Sequence, residues 1–147
     1  MIGKVRIVKE FNFEAAHALD GYQGKCKDIH GHSYKLTISV LGIPIQDKEE
    51  VECGMVMDFA HLKKIVGDHV LSIFDHYLIL KDDSRFRASN IPNERIRYVR
   101  YQPTCENMLL EIVQIINAEL PERVALVKAT LRETRSSYAE WRFEDNL

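Results

Sequence analysis

Cys26-Lys27-Asp28-Ile29-His30-Gly31-His32-Ser33-Tyr34 is the stretch around which the rest of the chain can be ordered. After Ser33 the sequence alternates, with Tyr34, Leu36, Ile38 and Val40 on one parity and Lys35, Thr37 and Ser39 on the other. That period of two marks a half-buried strand. His30 and His32 keep the parity of the apolar set, so both imidazoles stand at the head of the strand on the face it buries. An imidazole there needs a polar partner, and a metal ion is one. The H-x-H pair alone does not fix a metal, since spacing of this kind also arises by chance. His17, a short way upstream, supplies a third imidazole, and three neutral imidazoles with an open fourth position suit catalytic zinc.

Upstream, Val5, Ile7, Phe11, Phe13 and Ala15 share one parity and His17 continues it, which predicts a first long strand. Leu19 to Lys25 contains Asp20, Gly21 and Gly24 and reads as a turn short enough to bring His17 back toward His30 and His32. An antiparallel pair with three imidazoles at one end follows. Downstream, Gln46 to Glu52 is a solvated turn. Asp58 is placed to cap a helix carrying Phe59, Leu62, Val66, Val70 and Ile73 at three-and-four spacing. His61 and His69 lie within that helix, where surface or core packing explains them better than ligation.

Phe74-Asp75-His76-Tyr77-Leu78 closes the segment. From the residues alone, Asp75 and His76 read as a helix-end pair with a capping role; a carboxylate orienting an imidazole is the other reading. Lys81 to Asn93 is polar and turn-rich. Arg95 to Tyr101 alternates as a short extra strand, its arginines forming either a solvated face or a phosphate contact. Thr104 caps a second helix striped by Leu109, Ile112, Val113, Ile116 and Leu120, which Pro121 ends. Ala125, Val127, Ala129 and Leu131 share a parity that Glu133 continues, and Tyr138 to Phe143 is a last strand. The expected fold class is α+β: an antiparallel four-stranded sheet with two helices on one face, in the order ββααββ, as one domain over residues 1–147.

Composition excludes several classes. A formal net charge of −2 gives no reason to expect nucleic acid as a partner, and no apolar run approaches membrane-spanning length. The first residues alternate charged and apolar side chains, unlike a signal peptide. Cys26, Cys53 and Cys105 form no C-x-x-C pair, which fits a reducing, cytoplasmic compartment.

Phe13-Glu14-Ala15-Ala16-His17, the Cys26 to Tyr34 stretch, Phe74-Asp75-His76, Pro103-Thr104-x-Glu106-Asn107 and Arg132-Glu133-Thr134 occur in an order that resembles the 6-pyruvoyl-tetrahydropterin synthase superfamily. The three residues between Cys26 and His30 resemble its 6-carboxy-tetrahydropterin synthase branch, which feeds queuosine and other deazapurine pathways. The resemblance implies a T-fold (tunnelling fold) subunit, in which three sheets join into a barrel, two barrels stack as a hexamer and active sites lie between subunits. It implies His17, His30 and His32 as Zn2+ ligands, Cys26 as the catalytic thiol and Asp75 with His76 as a second proton-transfer pair. Glu133 would anchor the pterin ring, with Thr104 and Glu106 lining its pocket. The implied reaction converts 7,8-dihydroneopterin triphosphate to 6-carboxy-tetrahydropterin, acetaldehyde and triphosphate. A related pterin lyase, making 6-pyruvoyl-tetrahydropterin or cleaving dihydroneopterin, and a non-catalytic zinc-stabilised module are the competing readings.

Overall fold

The alternating stretches form the predicted hairpin. Strand β1 (Val5–His17) pairs antiparallel with β2 (His30–Gly42) without a break, from Val5 opposite Gly42 to His17 opposite His30. The computed structural model describes residues 1–88, 91 and 94–147. Numbered along the chain, β3 (Tyr77–Lys81), β4 (Ile96–Val99), β5 (Val124–Arg132) and β6 (Tyr138–Arg142) complete one sheet in the order β4-β3-β1-β2-β5-β6.

The α+β class holds, but the sheet has six strands and is mixed. The expected antiparallel set is present as β1, β2, β5 and β6. On the other edge, β3 runs parallel to β1 over Ala15–His17 only, and β4 runs parallel to β3. Strand β3 escaped the sequence reading because it is buried on both faces. Ile79 joins the main core while Leu78 and Leu80 join a second cluster with Ala18. Such a strand shows a continuous apolar run, which periodicity cannot tell from the end of a helix. Within the 81–93 stretch, Arg85–Ala88 makes a 3-10 turn; residues 89, 90, 92 and 93 lie outside the described residues.

Helix α1 (Phe59–Val66) is capped by Asp58, whose side chain accepts the Ala60 N–H at 2.8 Å. It runs through a π turn (Gly67–Leu71) into a last helical turn (Ser72–Phe74). Leu62, Val66 and Val70 are buried as the spacing predicts, but Phe59 is half exposed and Phe74 is fully buried. The wide turn rotates the stripe, so Phe74 seals the end rather than Ile73. His61 and His69 are exposed, His69 standing 3.5 Å from Glu119.

Helix α2 (Cys105–Glu119) starts at Thr104, whose hydroxyl accepts the Asn107 N–H at 3.2 Å. Met108, Leu109, Ile112, Val113 and Ile116 pack with the residues of α1 on Phe13, Tyr34, Leu36, Ile38 and Leu131, so both helices cover one face of the sheet. On β4, Arg97 makes a two-armed ion pair with Glu111 of α2, so this arginine is neither a solvated face nor a free phosphate contact.

The parity expected on β5 is broken. The register against β2 slips between Ser39 and Val40, leaving Val127 as the extra residue of a bulge. Val124 and Leu126 are therefore buried before it and Ala129 and Leu131 after it, while Ala125 is exposed. Glu133 still follows on the buried parity, and it reaches the hairpin's end on the helix-covered side.

Candidate active site

The hairpin register puts His17 directly opposite His30, and His32 opposite the small side chain of Ala15. The three rings form a triangle with centroids 4.5, 4.9 and 5.2 Å apart. One nitrogen from each lies within 4.8 Å of the other two, a spacing able to hold a metal ion.

Hydrogen bonds decide which nitrogens these are. His17 Nδ1 donates to the Pro103 carbonyl at 2.6 Å, and His30 Nδ1 donates to the Asp28 carbonyl at 2.8 Å. With Nδ1 carrying the proton, each Nε2 presents a bare lone pair. Those two Nε2 atoms face each other at 3.0 Å, where two acceptors repel unless a cation lies between them. The Nε2 of His32 is buried and, among the described residues, has no hydrogen-bond partner. Burial lowers the His17 pKa below the ordinary 6.5, against the pull of the Pro103 carbonyl and Glu133, and burial lowers that of His32 as well. Neutral imidazoles with converging lone pairs are the donor set of zinc.

Glu133 comes to the same place from the end of β5. Its carboxylate oxygens lie 3.7 Å from His32 Nε2 and 3.9 Å from His17 Nε2, and Oε2 accepts the Tyr34 hydroxyl at 3.3 Å. Burial, reinforced by Glu133, pushes the Tyr34 phenol well above its usual range, so it stays a donor.

Glu133 and His17 open onto a cleft of about 310 Å³ whose lining includes Tyr22, Cys26, Thr104, Cys105, Glu106 and Tyr138. Cys26 stands in the one-turn helix Lys25–Lys27, delivered there by the turn between the hairpin's strands. The fold thus brings together His17, His30, His32, Cys26, Glu133, Thr104 and Glu106.

The sequence reading missed Tyr34 and Cys105. Tyr34 was legible, because it continues the parity of His30 and His32. Cys105, between Thr104 and Glu106, faces the cleft with its thiol donating to the Leu131 carbonyl at 3.2 Å. Burial raises its pKa to about 12, so the Cys105 thiol stays protonated.

Asp75 and His76 are elsewhere. They do not cap α1. The Asp75 carboxylate accepts the Glu14 N–H of β1 at 3.0 Å and the His76 Nδ1–H at 2.9 Å. His76, with φ of +64°, donates its own N–H to the Glu14 carbonyl at 2.6 Å. Its ring lines a second cavity of about 390 Å³ with Glu14, Gly31, Ser33 and Leu78, which His32 also lines. Within one chain, Cys26 and His76 open onto different cavities.

Comparison with known proteins identifies the family and the fold. Residues 6–144 match the family described as 6-pyruvoyl tetrahydropterin synthase. The chain is 34% identical to the 6-carboxy-5,6,7,8-tetrahydropterin synthase of Haemophilus influenzae, covering 92% of this chain and 97% of that one. It is 32% identical to the dihydroneopterin monophosphate aldolase of Pyrococcus furiosus, over 88% and 90% of the two chains. Among solved structures, the 6-pyruvoyl tetrahydropterin synthase of Caenorhabditis elegans has the same fold, with a TM-score of 0.66 at 24% identity over 95% of this chain and 96% of that one.

Proposed function

We infer the function of this chain from the 6-pyruvoyl tetrahydropterin synthase family, to which it belongs: it is a 6-carboxy-5,6,7,8-tetrahydropterin synthase. The substrate is 7,8-dihydroneopterin triphosphate and the products are 6-carboxy-tetrahydropterin, acetaldehyde and triphosphate, a step toward queuosine-type deazapurines in the cytoplasm. The observation that carries this reading is the convergence of three imidazole nitrogens beside a cleft that also holds a thiol and a carboxylate.

In this reading residues 1–147 act as one domain, and His17, His30 and His32 hold Zn2+ through Nε2. A zinc ion there would act as a Lewis acid on the substrate's side-chain hydroxyls, favouring alkoxide character. Glu133 accepts the adjacent N–H donors of the pterin's amino-pyrimidinone edge as a fork, and the Tyr34 hydroxyl steadies one of its oxygens. Thr104 and Glu106 line the pocket around the ring. Cys26 takes a proton from the substrate's side chain, and Asp75 with His76 forms the opposing proton-transfer pair, Asp75 orienting the imidazole through Nδ1.

Because Cys26 and His76 open onto different cavities of one chain, the complete site combines residues of two copies. The assembly proposed is the T-fold hexamer of two stacked trimers. Three free thiols suit the reducing compartment assigned.

The deciding experiment incubates purified, zinc-loaded protein with 7,8-dihydroneopterin triphosphate and measures acetaldehyde and 6-carboxy-tetrahydropterin. Both are expected in equal amounts. Accumulation of 6-pyruvoyl-tetrahydropterin without acetaldehyde would overturn the assignment. So would cleavage of dihydroneopterin or its monophosphate as the preferred reaction, the chemistry named for the Pyrococcus furiosus relative.

A further inference from the structure

The turn that carries Cys26 is held from outside the hairpin. Within the turn, the Leu19 N–H donates to the Cys26 carbonyl at 2.8 Å. Just before it, Ala18 is fully buried against Leu78 and Leu80, with Phe86, Ile91 and Ile96 packed around them. This second cluster joins the end of β1 to β3, β4 and their connection; β4 falls within the alternating stretch Arg95 to Tyr101, whereas β3 left no pattern in the sequence.

From that connection, Arg85 reaches the turn at three points. Its main-chain N–H donates to the Asp20 carboxylate at 3.1 Å, and its guanidinium donates to the Lys27 carbonyl at 2.9 Å and the Asp28 carboxylate at 3.0 Å. These grips fall on both sides of Cys26. The Asp28 carbonyl in turn accepts the His30 Nδ1–H, so the same arm supports the residue that orients one imidazole. The guanidinium lies 4.4 Å over the Phe86 ring, which fixes its direction.

We propose that Arg85 is a positioning residue, whose planar guanidinium and main-chain N–H set where the Cys26 thiol stands in the cleft. The Arg85–Asp28 pair is half exposed and contributes little to stability by itself. The value of the contact is geometric. The two N–H bonds of one Nη2 point to the carbonyl and the carboxylate in directions set by the rigid guanidinium plane, which an ammonium on a flexible stem does not fix, and small displacements of a reacting group lower rates steeply.

The proposal rests on the reading of Cys26 as a proton-transfer group, and its test separates the two. Zinc-loaded Arg85→Ala and Arg85→Lys are compared with Arg87→Ala, a control in which the arginine contacts Asp82 and Tyr98 instead of the turn. For each, kcat, KM, thermal midpoint and the rate of Cys26 alkylation by iodoacetamide, read by peptide mapping, are measured. Arg85→Ala is expected to lower kcat about ten- to a hundredfold with KM little changed. Cys26 should alkylate faster, the midpoint should match that of Arg87→Ala, and Arg85→Lys should reverse part of the kcat loss and part of the faster alkylation. Wild-type alkylation in Arg85→Ala would overturn the proposal, as would a loss of activity that merely follows a loss of stability. Should Cys26→Ala remain fully active, the proton-transfer reading of Cys26 fails. The alkylation rate still decides whether Arg85 places the thiol.

Discussion

At the scale of single residues, two thiols share one cleft and are expected to behave differently. Cys26→Ala should keep zinc near the wild-type level while turnover collapses. Cys105→Ala, removing a thiol that burial keeps protonated, should change activity only through packing. Elemental analysis beside turnover numbers checks both, and a Cys26→Ala protein that loses its zinc would make the thiol a ligand. A second prediction concerns acid. His17 and His32 titrate below 6.5 in the folded apoprotein, whereas in the unfolded chain they titrate near that value. As pH falls from about 6.5, the unfolded chain takes up protons that the fold refuses, so apoprotein stability falls with acid from there. Denaturant midpoints between pH 7.5 and 5.5 should show this decline, flattened in His17→Gln; a pH-independent midpoint would contradict it. His30 and His32 were legible through strand parity. What parity could not supply is the carbonyls of Pro103 and Asp28, since partners brought by a distant loop or a backbone atom leave no pattern in side-chain spacing.

At the scale of elements, what was readable depended on how many faces an element buries. Strands β1 and β2 cover one face each along most of their length and alternate, so the sequence displayed them. Strand β3 is buried on both faces and displayed only Tyr-Leu-Ile-Leu-Lys. The bulge at Val127 inverted the parity of the first half of β5 without a glycine or proline to announce it. Caps were legible because their chemistry is local: Asp58 and Thr104 both accept the main-chain N–H groups expected of them. Asp58 stands apart from the imidazole cluster. Asp58→Ala should therefore cost about 1 kcal/mol of stability with kcat unchanged, as thermal denaturation and steady-state assays would show. A fall in kcat at full stability would mean that α1 reports to the site.

At the scale of the whole molecule, sheet edges remain unpaired among the described residues. Strand β3 covers only Ala15–His17 of β1, leaving the long N-terminal part of that edge open, and the outer edge of β6 is likewise open. Open edges invite pairing with another copy, and light scattering should find a trimer or hexamer; a fully active monomer would rule that out. The hairpin also has a consequence in time. All three imidazoles lie between residues 17 and 32, on strands joined by a short turn, whereas Glu133 and the Pro103 carbonyl arrive through contacts as distant as Leu36 with Leu131. Local pairings form early and distant ones late. The metal-binding triangle can therefore assemble while the remainder of the chain is still searching, and an ion captured then lowers the barrier to everything after it. Refolding should run faster with zinc than with a chelator, the amides of 5–17 and 30–42 gaining protection before those of 124–132. Equal refolding rates under the two conditions would confine the metal's part to the finished protein.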